Sequence, residues 1–206
     1  MKPTLPDGYP DYDPARPTEC QQEAERHLAR LDRDAPFTVR TFPIFSMVVA
    51  KGFRRVSYES WYLESGHLFW ITDEHARAIG RTLRPGMRYF GLVMTTLKGR
   101  GFHLMTQSLR PGVQIDEVLV KHTSGDEVTC DEADGLARLI TALGCRTFHL
   151  WAGEYDPGAL ERLCDTLHEL DNTSLQEVDI CDTSLPEPED RLPLPALEPL
   201  LRRNRG

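Results

Sequence analysis

Glu64 and His67 flank Ser65-Gly66 in the stretch YESWYLESGHLFWIT. If Ser65-Gly66 closes a two-residue hairpin loop, the carboxylate lies directly across from the imidazole. A carboxylate that holds an imidazole in one tautomer is the arrangement that orients a general base. No nucleophile is set beside this pair by spacing, so a cross-strand ion pair at a hairpin end is the plainer reading. Cys164 and His168 stand four apart on one helical pattern, half of a metal site, without a second pair at ligand spacing. His67 and His75 are split across a strand–helix junction, and His103, His122 and His149 are each single on strand-like segments. The chain has no GxSxG elbow, no phosphate-cradling glycine loop of the GxxxxGK[ST] type and no GxGxxG. Its five cysteines are scattered and include no CxxC pair, which reads as free thiols in a reducing compartment. No catalytic residue, metal or cofactor is assigned on this basis.

Binding chemistry has more to work with. On a helix beginning at Thr72, Arg77, Arg81 and Arg84 fall within about 60° of one another, opposite Ala76, Ile79 and Leu83. Arg54, Arg55 and Arg100 lie in the same basic third of the chain, beside glycine-bearing turns. Guanidinium forks suit phosphate and carboxylate. The hairpin alternation puts Trp61, Leu63, Leu68 and Trp70 on one face and Tyr62, Phe69 and Ile71 on the other. Trp61 and Tyr62 thus head either a doubly buried core or an aromatic docking surface. The binding candidates are therefore Arg77, Arg81, Arg84, Arg54, Arg55, Arg100, Trp61 and Tyr62.

The charge map sharpens this. The net charge is −8, but residues 40–110 carry eleven Lys and Arg against four Asp and Glu, whereas residues 111–206 carry eight against twenty. Summed fields of this kind steer association without dictating fold. They leave two readings: the basic third meets an anionic partner, or it packs beside the acidic half of its own chain.

The elements that must position these residues follow from periodicity and punctuation. Ala24, Leu28 and Leu31 mark a short helix from about 19 to 32 after an N-cap at Thr18. Residues 37–49 read as extended, followed by the hairpin across Ser65-Gly66 and the Thr72–Leu83 helix stopped by Arg84-Pro85-Gly86. MRYFGLVMTTL and FHLMTQSL read as a second hairpin across Lys98-Gly99-Arg100-Gly101. LRPG occurs at 83–86 and again at 109–112, as the same punctuation twice. Beyond it come a strand at 118–122, a capping box at Thr129 and Glu132 opening a leucine-striped helix, a strand at 146–151, a helix capped by Asp156 and a last strand at 177–181.

The expected fold is α+β: antiparallel hairpins, then alternating strands and helices around one mixed sheet with helices on one side. Residues 1–17 are expected to be disordered, 18–183 to form a single domain, and 184–206 to be a proline-rich tail. No apolar run approaches the ~20 residues of a membrane span, and the start lacks the apolar core of a signal peptide, so a cytoplasmic location is expected. The function expected is that of a non-enzymatic accessory protein, inhibitory or regulatory, acting through a protein partner. The alternatives are a nucleic-acid-binding module using the basic surface of residues 40–110, and an enzyme with a site near Glu64 and His67.

Overall fold

The computed structural model describes residues 28–39, 42–59, 71–95, 99–122, 127–182 and 194–205, with Gln22, Arg26 and Leu97. In chain order the elements are β1 (Phe37–Val39), α1 (Phe42–Ala50), β2 (Arg55–Glu59), α2 (Asp73–Thr82), β3 (Tyr89–Thr95), α3 (Gly99–Gln107), β4 (Glu117–His122), β5 (Glu127–Val128), α4 (Cys130–Ala142), β6 (Thr147–Ala152), β7 (Glu154–Tyr155), α5 (Ala159–Glu169) and β8 (Glu177–Asp182). A 3-10 turn at Pro195–Leu197 leads into α6 (Glu198–Arg205). No helix among the described residues is long and apolar enough to cross a membrane.

Six strands make one sheet in the order β1-β2-β3-β4-β6-β8, and every pairing in it is parallel. β5 and β7 add a separate parallel pair. This is an α/β fold, which overturns the expected α+β arrangement of antiparallel hairpins in a mixed sheet. β2 is bordered by β1 on one edge and β3 on the other, so it has no free edge for a hairpin partner. The hairpin partner itself, with Glu64 and His67, lies outside the described residues. The second expected hairpin fails because Gly99–Gln107 is helical. Gly99 and Gly101 serve close packing there instead of a turn: a Cβ would stand 2.3 Å from the Asp131 carboxylate at Gly99 and 2.1 Å from Leu97 at Gly101.

Residues 42–50 are likewise helix where an extended segment was expected. FPIFSMVVA is apolar on all sides, and Phe45, Val48 and Val49 are buried. Burial overrides the β preference of its valines, and Pro43 is tolerated because it stands in the first helical turn. Other local signals agree with the structure. Thr72 caps α2, accepting from the His75 amide at 3.3 Å, and Thr129 and Glu132 form a complete capping box on α4. The N-cap of α5 is Gly158, two residues beyond the expected Asp156.

Because the strands are added in chain order, every crossover steps in the same direction across the sheet. Crossovers of one hand then place every helix on the same face. Consecutive helices α1 to α5 do pack against one another in series. Helices need roughly 8–10 Å between axes, while strands sit about 4.8 Å apart. Glycine narrows the mismatch: a Cβ on Gly80 of α2 would lie 2.4 Å from the Met105 carbonyl of α3, and one on Gly135 of α4 would lie 2.8 Å from the Gly99 carbonyl.

The helix-to-strand turns repeat as well. Both LRPG segments end a helix and lead to the next strand, with Gly86 and Gly112 at φ +91° and +77°, a left-handed conformation open to glycine.

On the helix-facing side the registered rows are Phe37, Val56, Phe90, Val118, Phe148, Val178 and Val39, Tyr58, Leu92, Val120, Leu150, Ile180. These join the helix leucines in one core, with Phe45 of α1 at 5.5 Å from Tyr58 and 6.0 Å from Phe90 between ring centroids. Leu197 and Leu200, from the 3-10 turn and α6, are buried with them.

Candidate functional site

The opposite side of the sheet is of a different kind. Its rows are Arg55, Tyr89, Glu117, Thr147, Glu177; then Thr38, Ser57, Gly91, Leu119, His149, Asp179; then Glu59, Val93, Lys121, Trp151, Cys181. Parallel sheets are ordinarily covered by helices on both faces and read as continuous apolar runs. Here each strand alternates, and none of the described helices covers this side. A groove of about 340 Å³ runs along it, lined from β1 through β6 by residues that include Thr38, Arg55, Ser57, Tyr89, Leu119 and Trp151.

A polar chain braces this face. Arg55 Nη2 donates to Glu117 Oε2 at 3.2 Å. His149 stands between two carboxylates, its Nδ1 3.2 Å from Asp179 and its Nε2 3.7 Å from Glu117. Cys181 Sγ donates to Asp179 at 3.7 Å. The Arg55 guanidinium lies 5.2 Å from the Tyr89 ring centroid, and Lys121 Nζ 5.3 Å from that of Trp151, both within cation–π range.

Tyr89 reaches back across its neighbour, where the Ser57 hydroxyl donates to it at 3.3 Å. Gly91 makes that path possible, since a Cβ there would stand 2.5 Å from Ser57 Oγ and 2.8 Å from the Tyr89 oxygen. Burial raises the Tyr89 pKa, and the Glu117 charge pushes the same way against the opposing Ser57 hydrogen bond and Arg55 charge; the phenol is neutral at ordinary pH. Trp151 Nε1 is shielded from solvent and has no hydrogen-bond partner among the described residues. Glu117, His149 and Asp179 are strung in line across three strands and do not converge on a point. Among the described residues no group of three or more His, Cys, Asp and Glu is arranged to hold a metal ion.

The predicted binding residues are dispersed. Arg55 lies on the open face, and the exposed Arg54 next to it forms an ion pair with Asp34 at 3.5 Å. Arg77 and Arg81 lie on α2 in the outer helix layer, and Arg84 in the turn that follows. Arg100 begins α3 and meets Asp73, at the start of α2, at 3.0 Å; the length of α2 puts it about 15 Å from Arg84. Trp61 and Tyr62 lie outside the described residues.

Ser57, Tyr89, Glu117, His149, Trp151 and Asp179 were not singled out as binding residues from the sequence. The signal was present as polar–apolar alternation in EVDICD and, interrupted by Leu119 and Trp151, in EVLVKH and TFHLWA, whose polar members meet only once the strands are in register.

A second polar cluster lies in the helix layer. Asp134 of α4 is buried and accepts from Arg138 at 2.7 Å, from Thr166 at 2.8 Å and from Arg162, with His103 of α3 at 3.5 Å. Burial opposes its ionisation, but the hydrogen bonds from Arg138, Thr166 and Arg162 outweigh that and bring its pKa down to about 2. All its partners come from α3, α4 and α5, so it pins three helices together. Burial pushes the thiols of Cys145 and Cys164 up to about 12 and about 11, which suits packing and not nucleophilic attack.

No protein-family model matches the chain, and a search of curated proteins returns no significant match.

Proposed function

We propose that this protein is a binding module that engages a protein partner through the face of its parallel sheet that no described helix covers. The observation that carries this reading is the face itself: six parallel strands with an alternating polar and aromatic surface, a groove crossing five of them, and no described helix to cover it. A broad sheet face matches a macromolecular surface better than a small ligand. Its side chains Arg55, Tyr89 and Trp151 are of the types that dominate binding energy at protein interfaces. The ion pairs across the face are satisfied within the chain, so they hold the surface in shape before a partner arrives and lower the ordering cost of association.

The test is affinity capture from the source cells with three baits: the native chain, Tyr89→Ala/Trp151→Ala on the open face, and Arg77→Glu/Arg81→Glu on the outer helix. The expected result is a protein retained by the native and helix-layer baits and lost from the open-face bait, with thermal melting showing all three folded. Loss from the helix-layer bait alone, or identical recovery by all three, would overturn the reading.

A further inference from the structure

The open face is bordered, where its strands begin, by a row of arginines. Backbone hydrogen bonds link the residues just before each strand: the Arg54 amide donates to Arg33, Arg88 to Arg54, Glu117 to Arg88, Arg146 to Asp116 and Gln176 to Arg146, at 2.7–2.9 Å. Arg33, Arg54, Arg88 and Arg146 therefore stand along one edge at strand spacing, roughly 5 Å per step. All four are exposed, as are Arg84 and Arg110 in the two LRPG turns at the same edge. Arg84, Arg88 and Arg110 have no ion-pair partner among the described residues. Arg33 rests over Phe53 at 5.0 Å, and Arg146 donates to Gln176. The acids in the row are Asp32, Asp34, Asp116 and Glu117; Asp34 pairs with Arg54 and Glu117 with Arg55, and Asp116 and Glu117 stand between Arg88 and Arg146.

Five helices end at this edge, and their dipoles favour cations there. That does not account for the row. The dipole effect fades beyond the last turn, and the last turns of α1, α3 and α4 carry no basic residue. The arginines stand past the helices, at the entrances to the strands. Six arginines against one exposed lysine, Lys51 in the turn between α1 and β2, favour forked recognition of carboxylate or phosphate. The row contributes no exposed aromatic ring on which bases could stack, and the chain as a whole carries −8, which opposes a long polyanion.

We infer that this rim receives an acidic segment of the partner, seated beside the open face. The inference rests on the protein-binding reading of that face. The direct test titrates octaglutamate, and separately the oligonucleotide dT12, into the 15N-labelled full chain and follows amide shifts. Octaglutamate is expected to shift amides around Arg33, Arg54, Arg88 and Arg110, and to bind at least tenfold more weakly at 300 mM than at 50 mM salt, as screening of exposed charges requires.

Arg54→Glu/Arg88→Glu is expected to abolish those shifts, and Arg54→Gln/Arg88→Gln to reduce them, with unchanged thermal melting. Tyr89→Ala/Trp151→Ala is expected to leave octaglutamate binding within twofold. Absence of shifts, equal loss in Arg77→Glu/Arg81→Glu, or tighter binding of dT12 than of octaglutamate would overturn the inference, the last in favour of a nucleic acid. A face that captures no partner and a rim that binds no carboxylates fail in different experiments, so the two ideas are judged separately.

Discussion

The two faces of the parallel sheet carry opposite chemistry on the same strands. On β6, Phe148 and Leu150 are buried under the helices, while His149 and Trp151 look the other way among charged and aromatic neighbours. The helix-facing rows are apolar in all six strands, and adjacent helices approach backbone to side-chain distance at glycine. The open rows are held by ion pairs and ring contacts among half-buried groups and the buried Asp179. Stability thus resides on one face, and recognition is free to reside on the other. The reason is topological: strands added in one direction put the crossover helices on one side, and none of the described helices covers the second.

The comparison breaks most visibly if the two faces prove equally costly to damage. Phe148→Ala, which empties a fully buried position, should cost about 3–5 kcal/mol in denaturant unfolding, and Trp151→Ala on the same strand less than half of that. Next come the glycines. Gly80→Ala drives a methyl into the Met105 backbone and should cost about 1–3 kcal/mol. Gly91→Ala meets only the Ser57 and Tyr89 side chains, which can move, and should cost under about 1 kcal/mol by the same measure.

Asp134 sharpens the contrast through pH. Its folded pKa of about 2 lies below the ordinary 3.8, so its stabilisation is present above 3.8 and is lost as pH falls toward 2. That difference corresponds to about 2 kcal/mol. Asp134→Asn should therefore lower stability at neutral pH by a similar amount and flatten the acid limb of a stability–pH curve. A variant with an unchanged acid limb would show that the helix-layer carboxylate is not the acid-sensitive group. The smallest effect is expected for Arg54→Glu/Arg88→Glu: exposed charges at the rim should change unfolding free energy by no more than about 0.5 kcal/mol, while removing octaglutamate binding.

Much of the local structure was legible. Thr72 with Asp73 and Glu74, and Thr129 with Glu132, mark helix starts because side-chain oxygens and carboxylates satisfy the free amides there. The LRPG turns mark helix ends because glycine accepts positive φ. The charge split is explained in part by the same rule, with acids such as Asp73, Glu74, Asp131 and Glu132 at helix starts.

The errors have physical causes too. FPIFSMVVA has no polar face by which its period could be read, and its length alone does not separate a buried helix from a strand. In GRGFHLMTQ the glycines imitate a hairpin loop, although Gly99 serves to let α3 approach α4 and Gly101 makes room for Leu97. Alternation in strands such as EVDICD ordinarily signals an antiparallel sheet with one wet face. In this chain it signals a parallel sheet whose second face is covered by none of the described helices, a case the alternation cannot distinguish by itself.

The sequence by itself determined the caps, the turn glycines, most of the later strands and helices, and the alternation that divides each strand into two faces. Those are properties of residues within hydrogen-bonding reach along the chain. Strand order, the parallel direction and the register were decided only in the tertiary structure, because pairing energies depend on neighbours distant in sequence. That register sets Arg55 beside Glu117, His149 between Glu117 and Asp179, and Arg33, Arg54 and Arg88 in one row. The candidate surface exists only where separate strands meet.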